Sequence, residues 1–175
     1  MINYNRDIIY MKDDIKLIHK TVHDSLEEYG KRGLFNGIRG IYVNGNPEYH
    51  INWHYHREII LRLIDNDRLI VENILPNIHH YRNMENNFRK FVDKFSSADM
   101  VAHRRIDREK LSIAVKDNGE NTGIECRVID EDIRYAISSI LDVVHSIFLE
   151  FIPDGPYYEY QVQELGLDQD SIRLG

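Results

Sequence analysis

The sequence predicts an α+β fold: an antiparallel or mixed β-sheet built from hairpins, with about three helices, in which the long 130–152 helix packs on one face. In three segments, apolar residues recur three or four positions apart, which is the spacing of an amphipathic helix. Between these segments, alternating residues flank the turn sequences Asn44-Gly45-Asn46-Pro47 and Asp117-Asn118-Gly119. Strands grouped in hairpins, with helices elsewhere along the chain, indicate α+β rather than α/β.

Three helices are predicted from this spacing. The first extends from about Asp14 to Tyr29, and the second from about Asn83 to Ser96. The third begins near Asp130, because the helix dipole favours carboxylates at the N-terminus of a helix. It ends before Pro153, which cannot continue a helix. Because its apolar stripe is unbroken over about five turns, we expect this helix to be the spine of the core.

Two hairpins are predicted between the helices. The first joins strands 37–43 and 49–56, and its apolar side, which includes Tyr42, Tyr49 and Trp53, should face the helices. The second joins 111–116 to 123–129. The stretch 57–75 fits either buried strands or helical turns, and we favour a strand in at least one part of it.

Composition predicts a soluble globular protein with one domain over residues 1–175. The chain is 42% hydrophobic and 29% charged, which is ordinary for a folded domain. Its start lacks the pattern of a secretory signal, and no apolar run reaches the roughly 20 residues that cross a bilayer. Cys126 is the only cysteine, so no internal disulfide forms. We therefore expect a cytoplasmic protein that does not associate with membranes.

Negative charge is concentrated toward the carboxyl end. The formal net charge is −7, made up of −10 over residues 117–175 and +3 over residues 1–116. Overall acidity argues against nucleic acid as a partner, because the phosphate backbone attracts basic proteins. An acidic C-terminal third suits a basic protein partner instead.

The C-terminal segment 153–175 is predicted to be strand-like, acidic and rich in tyrosine. Tyrosine is favoured at interfaces because it offers a large contact area and a hydroxyl group. Carboxylates placed nearby would complement lysines on a partner. The predicted partner-binding residues are Asp154, Tyr157, Tyr158, Glu159, Tyr160 and Glu164. The alternative interpretation is an edge strand whose charges guard the sheet.

The most suggestive residues for chemistry are His54 and His56, which on a strand would stand about 7 Å apart on one face. Two imidazoles at that separation can converge on one zinc ion, with a third ligand from elsewhere. The competing interpretation is the polar side of a half-exposed strand. We favour this second interpretation and therefore predict no metal and no cofactor. The phosphate-loop, dinucleotide and nucleophile-elbow motifs are also absent, which argues against an enzyme.

Three functional hypotheses follow from these patterns. The first is a non-catalytic protein-binding module, such as an immunity or inhibitor protein that neutralises a basic toxin, for example a nuclease. The second is a metal-dependent enzyme built around His54 and His56. The third is a structural homo-oligomer or adaptor, including a homodimer, that assembles through the tail or the second face of the sheet.

Overall fold

The computed structural model describes residues 4–53, 58–76, 78, 82–119, 121–153 and 155–163, and these form four α-helices and one six-stranded antiparallel sheet. The predicted α+β class is therefore confirmed. The elements in chain order are α1 (Tyr4–Lys31), β1 (Gly37–Val43), β2 (Asn46–Asn52), β3 (Glu58–Ile64), β4 (Arg68–Pro76), α2 (Arg82–Lys94), β5 (Leu111–Asp117), β6 (Asn121–Val128), α3 (Ile133–Ser146), a π turn (Ile147–Phe151) and α4 (Pro156–Gln163).

The strands are ordered β1-β2-β3-β4-β6-β5 in the sheet. The first four form a meander, and after α2 the hairpin β5–β6 returns so that β6 pairs with β4. The stretch 57–75, which fitted either strand or helix, supplies two strands that flank the turn Asp65-Asn66-Asp67. Asp65 and Asn66 both have positive φ, which aspartate and asparagine tolerate better than most residues.

The first hairpin has a two-residue turn. Asn44 (φ 52°) and Gly45 (φ 82°) both adopt left-handed conformations, which the tightest hairpin turns require. Consequently β2 begins at Asn46, and Pro47 lies inside the strand rather than in the loop. Residues Gly37 to Val43 pair in continuous register with Asn52 to Asn46.

The hydrophobic core lies on one face of the sheet. Alternate residues of the strands are buried there against the helices, among them Tyr49, Ile51 and Trp53, as predicted. Tyr42 is an exception, because it lies on the edge strand and is 69% exposed. The opposite face, which we call the second face, carries no described helix. Ile70 is buried on it, outside the core cluster.

The three predicted helices occur in the expected order, with differences at their ends, and the structure adds a fourth helix, α4, that was not predicted. Helix α1 starts at Tyr4, ten residues earlier than expected, whereas α2 ends within two residues of its prediction. Asp132 caps α3, since its carboxylate accepts a hydrogen bond from the Tyr135 backbone N–H at 3.0 Å. Helix α3 packs against α1 and β6, and the π turn continues it to Phe151.

The strand prediction for the C-terminal segment is wrong over residues 156–163, which form α4. Pro156 is the first residue of this helix, a position where its fixed φ and missing N–H suit a helix start. Tyr157 and Tyr160 lie three residues apart and therefore share one side of α4. That side packs against Phe151 and the core.

Strand β4 contains an irregularity between Val71 and Leu75, where its register with β6 shifts and Asn73 has positive φ. Gly123 on β6 lies opposite this bulge. A Cβ atom at Gly123 would lie 2.0 Å from the Val71 carbonyl oxygen, so the two strands approach closely only because this residue lacks a side chain.

Within the described part of the chain, no single helix combines the length and the apolar composition needed to cross a bilayer. Residues Ile133–Phe151 and Pro156–Val162 reach that composition only when taken together across a bend.

Candidate functional site

The predicted partner-binding tail does not form an exposed tyrosine surface. Tyr157 and Tyr160 are partly buried against the core, Tyr158 is half-buried, and only Glu159 is fully at the surface. Asp154 and Glu164 lie outside the described residues. The tyrosines thus hold α4 in place, and Glu159 alone remains of the described acidic contact residues.

The acidic residues of the C-terminal third are divided among separate places. Glu125 pairs with Lys116 at 3.1 Å, and Glu150 pairs with Arg104 at 3.1 Å, so these carboxylates are neutralised within the chain. Asp132 lies at the N-terminal end of α3, whereas α4 contacts the π turn that follows the C-terminal end of α3. At 1.5 Å per residue, Asp132 and the end of the π turn are about 28 Å apart.

One group of accessible carboxylates combines two elements that are distant in sequence. It comprises the turn between β3 and β4 and the loop between β6 and α3, which meet where the Val128 backbone N–H donates to the Asp67 carbonyl at 2.7 Å. We call this group the acidic rim. It consists of Asp65, Asp67, Asp130, Glu131 and Asp132.

The backbone of the acidic rim is held in a defined conformation. The Asp130 carboxylate accepts from the Asp132 backbone N–H at 3.1 Å, and Asp132 in turn caps α3. Glu131 between them has φ 65°, a left-handed conformation that is unfavourable for a glutamate. A loop fixed in this way loses little conformational entropy when a partner binds.

Among the described residues, the ion pairs of the acidic rim are long. Lys110 lies 3.4 Å from Asp130 and 3.9 Å from Asp132, while Arg68 lies 3.7 Å from Asp65. Arg127 lies 4.0 Å from Asp67, so five carboxylates face three cations. Exposed pairs of this kind contribute only about 0–1 kcal/mol, and a partner's lysines or arginines can therefore replace them at low cost.

The acidic rim is well exposed and adjoins an exposed apolar residue. The side chains of Asp65 and Asp67 are 79% and 53% exposed. Ile129, directly before Asp130, is 53% exposed. An exposed apolar residue next to accessible carboxylates can anchor a protein partner whose surface is otherwise cationic.

A second cluster of charges lies across β2, β3 and β4 on the second face. The Glu48 side chain is only 7% exposed, and its two oxygens accept from Arg62 Nε at 2.6 Å and contact His50 Nε2 at 2.7 Å. The other ring nitrogen of His50 lies 2.9 Å from Glu58, and Arg62 also binds Glu72. Antiparallel register produces this cluster, because Glu48 is directly opposite Arg62.

This network is suited to holding charge rather than to transferring protons. Burial alone raises the pKa of the Glu48 carboxyl, but hydrogen bonds from Arg62 and His50 lower it by more, and the pKa ends below its ordinary value. The bond with Glu48 raises the pKa of Arg62. We therefore interpret the network as structural.

The residues considered for catalysis are not assembled into a reactive centre in the part of the chain that the structure describes. His54 and His56, the predicted zinc ligands of the enzyme hypothesis, lie outside it. Among the described residues no three histidine, cysteine or acidic side chains are grouped to hold a metal ion. Cys126 is fully buried, and burial raises the pKa of its thiol, which leaves it unreactive.

A groove of about 400 Å³ lies between α1 and the first hairpin. Lys16, His19 and Lys20 line one side, and Tyr42 and Tyr49 line the other. The His19 and Tyr42 rings are 5.8 Å apart, and Lys20 is paired with Asp24 along the helix. The groove is open and its lining is mixed, so it indicates no particular ligand.

No protein-family model, curated protein or solved structure matches this chain. Sequence reasoning had assigned Asp130, Glu131 and Asp132 to the start of a helix, and it missed Asp65 and Asp67. Only the pairing of β4 with β6 brings the two groups together.

Proposed function

We propose that this chain is a non-catalytic protein-binding module that docks a basic protein through the acidic rim. The observation that carries this proposal is the meeting of the 65–67 turn and the 129–132 loop, two segments that together carry five exposed acidic residues and the exposed Ile129. Accessible carboxylates in excess over nearby cations attract a basic surface and speed its association.

Within this class, an immunity or inhibitor protein is the more specific proposal. Its target would be a basic toxin such as a nuclease, because an enzyme that binds nucleic acid presents a cationic surface. A carboxylate-rich inhibitor covers such a surface by resembling the charge of the substrate. An inhibitor of this kind would act in the cytoplasm, where its free thiol stays reduced.

The test compares two variants with the same change in net charge. In the rim variant, Asp65→Asn, Asp67→Asn and Glu131→Gln remove three charges and leave Asp130 and Asp132 to hold the loop. The control variant carries Glu28→Gln, Asp93→Asn and Asp99→Asn at exposed positions elsewhere. Asparagine at position 65 also tolerates the positive φ found there.

Each protein is immobilised and used to capture proteins from an extract of the source cells. We expect the native protein and the control variant to retain the same basic protein, which salt releases because exposed charges are screened beyond about 8 Å at physiological ionic strength. The rim variant should associate with it at least about tenfold more slowly. Equal capture by the rim variant would contradict the proposal.

A further inference from the structure

Strand β1 is an edge of the sheet that lacks the usual protection against pairing. Among the described residues no strand pairs with its outer side, and it matches β2 along its whole length without a bulge. Its sequence from Gly37 to Val43 contains no proline and no lysine, and Arg39 is its only charged residue. Natural edge strands usually carry such features because an open edge recruits other strands.

The opposite edge differs from β1 in the same respects. Strand β5 ends in the charged residues Lys116 and Asp117. By contrast, Tyr42 and Val43 on β1 are exposed large apolar residues. An edge strand of this kind on an isolated molecule would be an aggregation site, unless a closed assembly covers it.

The side chains of β1 are complementary to those of a second β1 strand running antiparallel about a two-fold axis at Gly40. In that register Ile38 of one copy lies opposite Tyr42 of the other, an aromatic and β-branched pair of the kind that stabilises sheets. Arg39 lies opposite Ile41, so the only charge on the strand does not meet its own symmetry mate.

This pairing also keeps the two faces of the sheet consistent. Residues that lie opposite each other are both even-numbered or both odd-numbered, and such residues point to the same face of a sheet. The core-facing side of one copy therefore continues the core-facing side of the other. The helices of both copies then lie on the same side of one continuous sheet. The acidic rim is built on β3, β4 and β6, so it remains open.

We infer that two copies of this chain form a symmetric dimer through antiparallel pairing of their β1 strands. This dimer interface is a different surface from the acidic rim and takes a different partner, a second copy of the chain. A dimer of this form presents two acidic rims to the surrounding solution.

Matched substitutions at Ile41 test the pairing by sedimentation equilibrium over a range of protein concentrations. Ile41→Lys places a lysine opposite Arg39 of the second copy, and the two-fold axis repeats this like-charge contact. We expect the dimer dissociation constant to rise about tenfold. Ile41→Glu removes the same apolar side chain but places a carboxylate opposite Arg39, and its dissociation constant should stay within about threefold of the native value.

The exchanged pair Arg39→Glu with Ile41→Lys should restore the dimer that Ile41→Lys weakens. A native protein that remains monomeric at all concentrations, or equal weakening by lysine and glutamate at position 41, would overturn the inference. Hydrogen exchange of the native protein supplies a test without substitution. Protection that increases with concentration over residues 37–43 supports the pairing, and protection that increases only elsewhere refutes it.

Discussion

Replacing Glu48 with glutamine removes the buried charge at the centre of the network on the second face. The native carboxylate accepts from Arg62 at 2.6 Å and contacts His50 at 2.7 Å. In the variant, the amide oxygen can still accept from Arg62, but the amide N–H group now faces His50. The charged contact with His50 is therefore lost.

The expected loss of unfolding free energy follows from these contacts. A hydrogen bond to a charged group contributes about 1.5–3 kcal/mol, and the variant keeps one of the two in a weaker, neutral form. Arg62 also keeps Glu72, and His50 keeps Glu58, so neither cation is left without a carboxylate. We therefore expect Glu48→Gln to destabilise the protein by about 2 kcal/mol at neutral pH.

The pH dependence of this loss follows from the lowered pKa of Glu48. A carboxyl whose pKa is lower in the folded state stabilises the fold fully above its unfolded pKa, which is about 4.3 for glutamate. The contribution disappears as the pH falls through the folded pKa. Consequently the difference between the native protein and Glu48→Gln should shrink below about pH 4.3 and stay constant above it.

Urea unfolding followed by circular dichroism at several pH values measures this difference. Glu85→Gln is the control, because Glu85 forms an exposed pair one turn from Arg89 on α2 and should cost less than about 0.5 kcal/mol. A loss at Glu48 no larger than at Glu85, or one that does not change between pH 7 and pH 3, would refute the account of the network.

Two further predictions concern buried groups. Gly123→Ala should cost more than about 2 kcal/mol in urea unfolding, because the added Cβ meets the Val71 carbonyl oxygen, whereas Gly37→Ala, with open space around it, should stay within about 0.5 kcal/mol. Equal effects at the two glycines would contradict the close approach at the bulge. The Cys126 thiol, whose pKa burial raises, should not react with a thiol reagent such as Ellman's reagent at pH 8 in the folded protein. It should react completely in denaturant, and rapid labelling of the native protein would show that the thiol is accessible.

The first hairpin was predictable because a local sequence specifies it. Asn44 and Gly45 are the residues that most readily take the two positive φ values of a tight turn. The strand character of β3 was harder to recognise, because Ile59 and Ile60 are both apolar and break the alternation. Ile59 is buried in the core, whereas Ile60 lies on the second face opposite His50.

The tail shows how one pattern can favour the wrong element. Alternating tyrosines indicated a strand, but Tyr157 and Tyr160 are also spaced for one side of a helix. Pro156 was the signal that could have decided between them, since proline is common at the first position of a helix.

The acidic rim could not be predicted, because its two halves are more than sixty residues apart. Local patterns indicated the helix start at Asp130 to Asp132, but they did not indicate the turn at Asp65. Their proximity depends on β6 inserting between β4 and β5, a long-range pairing that no local spacing encodes.

The acidic rim can be tested most directly by an NMR titration of the isotopically labelled protein with a decalysine peptide, which represents a basic protein surface. We predict the largest chemical-shift changes at residues 65–67 and 129–132, and their loss at high salt or in the rim variant. Changes that are largest at α4, or spread evenly over the exposed carboxylates, would contradict the claim that this surface receives the partner.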